Sequence, residues 1–359
     1  MTMPKDFVVK YIENDNIYIL GSQTHWNEIM SRILALGGCG FIGSYVVRKL
    51  LADGHEITAV DNFSKYGTIR HDFYSNPKFR MVKADVRKMT SSQYRDYDHV
   101  ICFAALIGGI SYFHRIPYSI AKVNTDILTR SIDCTAAGSP DATFCFLSSS
   151  MVYERMNRPV TEEDAMNQLT PITNYGMQKL FGEFVVRGAK QEIGLNYLIV
   201  RPFNAVGSGE LPKVKSNGDV DFGMSHVIPD FIYKAMMKQS PFEIFGDGKQ
   251  VRTFTHARDI ADAMALMVKR NVKNDDFNIC GDNTTDMGNL ARLTWKKVNG
   301  SEPMPRIKHI PAPKDDVRFR IGVSNKARRK LGWKPKYDMD YVLDDTYGFI
   351  KENFKKLKK

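Results

Sequence analysis

The sequence predicts an α/β fold: a doubly wound parallel sheet followed by a smaller C-terminal lobe. Three observations predict it. From Ile33 onward, short apolar runs alternate with longer helical patterns, the order that crossover connections impose on a parallel sheet. A glycine-rich turn, Gly37 to Gly43, joins the first run to an apolar helical pattern. After Arg201-Pro202 the alternation breaks into loops rich in Gly, Pro, Lys and Asp over 207–223, then resumes as mixed short elements to about 345.

Taken in order, the first 32 residues hold two apolar stretches, Phe7–Ile12 and Ile17–Leu20. Glu13-Asn14-Asp15-Asn16 splits them, which suits a hairpin. The expected strands of the sheet are Ile33–Leu36, Glu56–Val60, Arg80–Val82, His99–Phe103, Thr143–Leu147 and Asn196–Val200. The segments between them are long enough for crossovers. Near the C-terminus, Met339, Val342, Leu343, Tyr347 and Ile350 trace an amphipathic helix. Asp338 and Asp340 open it and lysines close it, as the helix dipole prefers. There is no internal repeat or low-complexity tract.

Composition excludes several classes. With 359 residues, 43% hydrophobic and 25% charged, the chain can bury a large core and is not disordered, collagen-like or disulfide-stapled. Its longest apolar run, Val100 to Ile110, is about half the ~20 residues that span a bilayer. Lys5, Asp6, Lys10 and Glu13 interrupt the N-terminus, unlike a secretory signal. Five cysteines (Cys39, Cys102, Cys134, Cys145, Cys280) lie far apart, which fits buried thiols in a reducing compartment. A soluble, cytoplasmic protein is expected, with no membrane partner. Lys and Arg total 51 against 40 Asp and Glu, and the excess concentrates in residues 314–359. A solvated helix end accounts for part of it. No zinc-finger spacing, aromatic RNA-binding motif or basic heptad region points to nucleic acid, and a small polyanionic ligand explains a basic cleft equally well.

Gly37, Gly40 and Gly43 form a GxxGxxG turn between the strand Ile33–Leu36 and the helical pattern Ile42, Val46, Val47, Leu50, Leu51. Glycines there permit a tight turn and bring backbone N–H groups against a pyrophosphate at the helix N-terminus. The second strand ends in Val60-Asp61, 18 residues after Gly43. A carboxylate at that distance accepts hydrogen bonds from an adenosine ribose and repels a 2′-phosphate. Asn62-Phe63 follows instead of Arg, so NAD is expected rather than NADP. Asp85, after the third run, stands where the adenine is expected, or is a turn aspartate.

Tyr175-Gly176-Met177-Gln178-Lys179 is YxxxK. On a helix, residues i and i+4 share one face. A cation there favours the tyrosinate, lowering the phenol pKa from about 10 toward neutrality. The phenolate can then take a proton from a substrate hydroxyl while NAD takes the hydride. Phe146-Leu147-Ser148-Ser149-Ser150-Met151-Val152-Tyr153 ends another strand, where a doubly wound sheet places its ligands.

On these residues the chain resembles the extended short-chain dehydrogenase/reductase family, specifically its nucleotide-sugar epimerases and dehydratases. The resemblance covers roughly 33–345. It also runs through Asp61-Asn62-Phe63-Ser64, Arg201-Pro202-Phe203-Asn204, Phe245-Gly246-Asp247-Gly248 to Arg252 and Asp259, Asp316-Val317-Arg318, and Leu331-Gly332-Trp333-Lys334-Pro335. It implies a Rossmann domain at 33–202, after an extension at 1–32. A mainly substrate-binding lobe comes next at 203–345, with parts returning to the first domain, and then a basic tail at 346–359. It implies a catalytic set of Ser149, Tyr175 and Lys179. NAD would be bound by Gly37, Gly40, Phe41, Ile42, Gly43, Asp61, Asn62, Asp85, Val86, Ala104 and Ala105, besides Tyr175 and Lys179. The sugar nucleotide would meet Gly108, Ser149, Ser150, Asn204, His226, Arg252 and Arg318, the arginines facing its diphosphate. Surface ion pairing is the alternative for the arginines. No metal is implied.

Family members begin by oxidising the sugar, usually at C4, and differ in the fate of the resulting ketone. The dehydratases resembling this chain carry an Asp-Glu pair where Ser150 and Met151 stand, and the decarboxylases carry Glu at Met151. Neither acid is present, and a thioether cannot trade protons. Ala104-Ala105-Leu106-Ile107-Gly108-Gly109-Ile110 and Ser225-His226-Val227-Ile228-Pro229 resemble another branch, the GDP-sugar 3,5-epimerases and GDP-fucose synthases. That branch has a catalytic cysteine where Met151 stands. His226 is thus an acid, a sugar ligand or a satisfied structural histidine. Gly108 and Gly109 either leave room for a turning sugar or serve packing. The reaction that needs no further acid or base is NAD-dependent epimerisation at C4 of a nucleoside-diphosphate sugar through a 4-keto intermediate. The alternatives are a C3/C5 epimerase, a 4-keto-reductase, or a non-catalytic dinucleotide sensor. By analogy with the family, a homodimer is expected through the helices near Ser119–Ala137 and Tyr175–Gln191.

Overall fold

The computed structural model describes residues 11–13, 16–18, 30–65, 67, 70–167, 171–313 and 315–357. Within residues 1–30, β1 (Tyr11–Glu13) and β2 (Asn16–Tyr18) form an antiparallel pair with Tyr11 opposite Tyr18. The remaining parts of the expected strands, 7–10 and 19–20, lie outside the described residues.

Residues 31–359 form the second unit. Its first half runs β3 (Arg32–Leu36), α1 (Phe41–Ala52), β4 (Glu56–Asp61), β5 (Phe79–Lys83) and β6 (His99–Cys102). It continues with α2 (Ile110–Arg115), α3 (Pro117–Gly138), β7 (Thr143–Leu147), α4 (Asp164–Asn167), α5 (Asn174–Ile193) and β8 (Asn196–Pro202). The second half contains β9 (Ala205–Val206), α6 (Val227–Met236), β10 (Phe242–Phe245), β11 (Val251–His256), α7 (Ala257–Lys269) and β12 (Asp275–Ile279). After these come β13 (Asn283–Asp286), α8 (Met287–Asn299), β14 (Ile307–Ile310), β15 (Phe319–Arg320), α9 (Asn325–Leu331) and α10 (Met339–Leu357).

All six expected strands are present, Thr143–Leu147 with the expected bounds and the others with ends moved by one or two residues. They join β12 in a seven-stranded parallel sheet ordered β12-β8-β7-β6-β3-β4-β5. Strand residues alternate between two cores, as a period of two requires. Ile33, Ala35, Ile57 and Ile101 pack beneath α1 and α7, against Val46, Val47 and Ile260. Leu34, Leu36, Val100 and Phe144 pack on the other face against Ile127, Leu128 and Val186 of α3 and α5. Burial on both faces is why the central strands β3, β6 and β7 read as continuous apolar runs. Strand order reverses between β3 and β6, and ligands of open α/β sheets bind beyond the carboxyl ends at such a point.

β12 returns to the sheet from the second half of the chain. Its opening Asp275-Asp276 hides it in the sequence. In the fold Asp276 pairs with Arg201 at 2.8 Å and Arg187 at 3.1 Å, and Asp275 with Lys326 at 2.6 Å. A third core gathers Phe231, Ile232, Phe242, Trp295, Val342 and Ile350 from α6, β10, α8 and α10. Residues 346–357 continue α10 as one helix. Among the described residues, no helix is long and apolar enough to cross a membrane.

Candidate active site

The turn after β3 closes around glycine. Gly37 has φ +75°, and a Cβ there would lie 2.7 Å from the Ala104 backbone nitrogen at the end of β6. A Cβ at Gly43 would lie 2.5 Å from the Gly37 carbonyl oxygen. Only glycine lets the two strand ends and the start of α1 come this close. The first turn of α1 has Gly40 as N-cap, no side-chain cap and no acidic residue, so its N–H groups remain available to a phosphate. At the end of β4, Asp61 accepts from the Cys39 N–H (3.2 Å) and the Phe63 N–H (2.8 Å). These bonds hold its carboxylate beside the glycine turn. A cradle that side chains would fill, an uncapped helix start and a fixed carboxylate together fit NAD. Asp85 caps the turn after β5: it accepts from the Arg87 N–H (3.0 Å) and pairs with the Arg87 guanidinium (2.6 Å). That pairing holds its carboxyl below the usual range.

Beyond β7, Ser148 points inward, donating through Oγ to buried Glu183 (2.5 Å), while Ser149 accepts from the Met151 N–H (3.2 Å). Tyr175 and Lys179 stand one turn apart on α5, both buried. α5 is started by Thr173, whose hydroxyl accepts from the Gly176 N–H (3.0 Å) and donates to Glu154 (2.7 Å). The Tyr175 ring stacks on Phe113 of α2, centroids 4.4 Å apart and planes within 8°. Lys179 Nζ donates to the Leu147 carbonyl at 2.7 Å and lies 5.8 Å from the Tyr175 ring centroid.

These contacts correct the expected electrostatics. Burial pushes the Tyr175 phenol above its ordinary pKa, opposed by the nearby Ser149 hydroxyl and the charge of Arg320. The Lys179 ammonium is turned toward a carbonyl and is itself pulled down to about 8 by burial, against Cys102 and Glu183. Desolvation of the phenolate outweighs the charge of Arg320.

On the opposite wall, Asn204 (φ +37°) donates to the Thr253 carbonyl at 2.7 Å. Arg252 on β11 contacts the Val251 carbonyl (3.0 Å) and Asp316 (3.4 Å). Burial, then repulsion from Arg320, lowers its pKa to about 9. His226, N-cap of α6, has Nδ1 2.7 Å from buried Glu210. Burial alone would raise the Glu210 carboxyl, but His226 and Lys65 hold it below the usual range. Gly109 serves packing: a Cβ there would meet the Ser225 and Gly223 carbonyl oxygens at 2.2 and 2.4 Å.

One cavity of about 540 Å³ joins these parts. Ser149, Tyr175, Lys179, the glycine turn, Asp61, Asn62, Asp85, Val86, Ala104, Ala105, Gly108, Ser150, Asn204, His226 and Arg252 all line it. Arg318 does not; it is exposed and paired with Asp247 at 2.8 Å. Arg320, two residues on, lines it instead, in register with Arg252 on the paired strands β11 and β15. Phe113 also lines it. Sequence reasoning passed over both. Asp316-Val317-Arg318-Phe319-Arg320 offered two arginines, and nothing in their spacing says which is turned outward.

The doubly wound sheet and the glycine cradle at its switch point define a dinucleotide-binding α/β protein. The chain belongs to the NAD dependent epimerase/dehydratase family, whose sequence model matches residues 33–280. It is 29% identical over 330 residues to a putative UDP-glucose 4-epimerase of Methanocaldococcus jannaschii, covering 89% of this chain and 99% of the relative. It is 27% identical over 345 residues to the GDP-mannose 3,5-epimerase of Arabidopsis thaliana, covering 94% and 87%. Among solved structures it is similar to the UDP-glucose 4-epimerase of Thermotoga maritima with UDP-glucose. That similarity has a TM-score of 0.73 and 27% identity, over 90% of this chain and 99% of the other.

Proposed function

We propose that the protein is an epimerase inverting C4 of a nucleoside-diphosphate sugar, with Ser149, Tyr175 and Lys179 as its catalytic set. The observation that carries this reading is their convergence with the glycine cradle on one cavity, where Met151, two residues along the Ser149 turn, has no proton to give. Bound NAD would supply reversible hydride acceptance at C4 and would not be consumed. Gly37, Gly43 and the N-terminus of α1 hold the pyrophosphate, and Asp61 holds the ribose. The Ser149 hydroxyl orients the reacting sugar oxygen. Tyr175, in its phenolate form, takes the O4 proton and gives it back once the sugar has turned over. The positive charge of a bound nicotinamide would offset the burial that favours the neutral phenol. Lys179 stabilises the phenolate while it exists. Arg252 and Asn204 face the diphosphate from residues 203–345, which serve the sugar nucleotide, while 33–202 serve NAD.

The T. maritima and M. jannaschii relatives support inversion at C4, since each is similar over nearly its whole length. The test is incubation with UDP-, GDP- and dTDP-sugars and product analysis by NMR. Inversion at C4 is expected, and elimination products or no conversion at C4 would refute the reading. His226 on Glu210, together with the plant 3,5-epimerase relative, favours C3/C5 inversion as the second reading. Solvent deuterium entering C3 or C5 identifies it, because proton exchange there is obligatory.

Two copies pair through α3 and α5 in this proposal. Exposed Met177, Phe181 and Phe184 form a stripe at i, i+4 and i+7 on α5, with exposed Tyr118 on α3. Such a stripe is a helix-packing face. The five cysteines are buried thiols, which supports the cytoplasmic reading.

A further inference from the structure

We propose that Arg320 receives a carboxylate on the sugar, so that the substrate is a nucleoside-diphosphate hexuronic acid rather than a neutral hexose. The inference rests on the C4 reading of the same cavity and adds the chemical class of the sugar.

Arg252 and Arg320 stand on this wall with Arg318 turned outward beside them, and two of the three have acids. Arg252 has Asp316, and Arg318 has Asp247. Arg320 lines the cavity, yet its buried Nε has no acceptor, and its Nη1 touches only the thioether of Met151. No carboxylate lies within ion-pair distance of it among the described residues. The nearest candidate on this side, Glu154, is already engaged by the N–H groups of Ile172 and Thr173 and the Thr173 hydroxyl. Burial pushes the Arg320 guanidinium below its ordinary pKa, against the pull of Glu154, Asp316 and Tyr175. Arg320 is half-buried on the cavity wall, and a guanidinium partly withdrawn from water without an anion is unfavourable. The site therefore calls for an anion brought by the ligand.

Position says which anion. Met151 lies two residues beyond Ser149 and shares an apolar cluster with Tyr175 and Phe113. A guanidinium lying on Met151 sits at the reacting end of the sugar, while Arg252, its register partner, is left for the diphosphate. The acid that a sugar nucleotide carries next to C4 is the C6 carboxylate, attached through C5. The planar fork of a guanidinium matches that group bidentately. A hydroxymethyl group in the same place would leave the cation unpaired.

Oxidising a hexuronate at C4 yields a β-keto acid, which can lose CO2. That loss breaks C5–C6, sends the bonding electrons toward the C4 ketone and then needs a proton at C5. Met151 has none to supply, and a carboxylate held by Arg320 keeps its charge. The pairing is thus compatible with inversion in place of decarboxylation.

The test uses the full-length, NAD-loaded protein and matched pairs of UDP-, GDP- and dTDP-linked hexose and hexuronate. Binding is read by calorimetry and turnover by NMR. The hexuronate is expected to bind at least ~10-fold more tightly than its hexose, the ratio a charge-assisted pair supports. Arg320→Met is expected to weaken the hexuronate ~10- to 100-fold while leaving the hexose and the free nucleoside diphosphate within ~3-fold. Preference for the hexose overturns the proposal. So does an equal loss for UDP or GDP alone, which would assign Arg320 to the diphosphate. If Arg320→Met does not fold, the wild-type pair decides by itself, and Arg320→Lys should lie between. If no sugar is inverted at C4, the C4 reading falls alone, because the binding comparison still decides the carboxylate.

Discussion

Replacing Tyr175 by Phe removes one oxygen and leaves the rest of the site standing. The ring is 3% exposed and stacks on Phe113 at 4.4 Å, and both features survive in phenylalanine. The loss is the phenol oxygen beside the Ser149 hydroxyl, worth at most about 1 kcal/mol. A polar group also leaves an apolar cluster of Phe113, Ile120 and Met151, a change of similar size and opposite sign. Stability should therefore move by less than about 1 kcal/mol. The chemical step loses its acid–base group, a contribution of ~10²–10⁴-fold, or about 3–5 kcal/mol of barrier at 1.36 kcal/mol per decade. The loss should fall on kcat, with binding of the free nucleoside diphosphate unchanged, because the hydroxyl acts in the transition state. The assay is C4 inversion by NMR on NAD-loaded protein, with calorimetry for binding and a melting curve for the fold. A folded variant retaining more than about a tenth of wild-type kcat is incompatible with a role of this size.

Gly43→Ala places a Cβ 2.5 Å from the Gly37 carbonyl oxygen, so the purified variant should carry no NAD; nucleotide released on denaturation measures this, and full occupancy would refute the cradle's role. Phe181→Asp puts a charge in the exposed stripe of α5 and should convert a dimer to a monomer in light scattering; an unchanged mass would remove this face from the interface. Asp345 ties α10 to His256 (3.1 Å) and the Ser208 N–H (2.7 Å). Burial alone would raise its carboxyl, but these bonds hold it at about 2. Because the folded value lies below the unfolded value of about 4, its ~2 kcal/mol is present above pH ~4 and lost as pH falls toward 2. Asp345→Asn should lower stability at neutral pH and flatten the acid limb, and denaturant titrations from pH 2 to 7 check both.

Six strands of the sheet were legible. The central strands β3, β6 and β7 were so because they are buried on both faces and read as apolar runs, while β5, half-exposed at the sheet edge, was legible from a short Met81-Val82 core alone. The seventh was not: β12 opens with Asp275-Asp276, and their partners Arg201, Arg187 and Lys326 lie far away in the chain. The same limit applies at the site. Glycine spacing placed the cradle after β3, since φ +75° at Gly37 and the close approach of Ala104 are local demands on residue type. The YxxxK spacing placed Tyr175 and Lys179 on one face of α5 but misjudged their electrostatics. Lys179 is directed at the Leu147 carbonyl, and burial dominates the phenol.

From sequence alone came the alternation of buried strands with crossovers, the glycine turn, the acid at the end of β4 and the order of chemistry-bearing residues. Each depends on backbone conformation or on side-chain period over a few neighbours, which the chain records directly. Folding alone decided which of Arg318 and Arg320 faces the cavity, what His226 leans on, and how far burial shifts Tyr175 and Lys179. Those outcomes depend on groups brought together from distant segments, where desolvation and charge act through space.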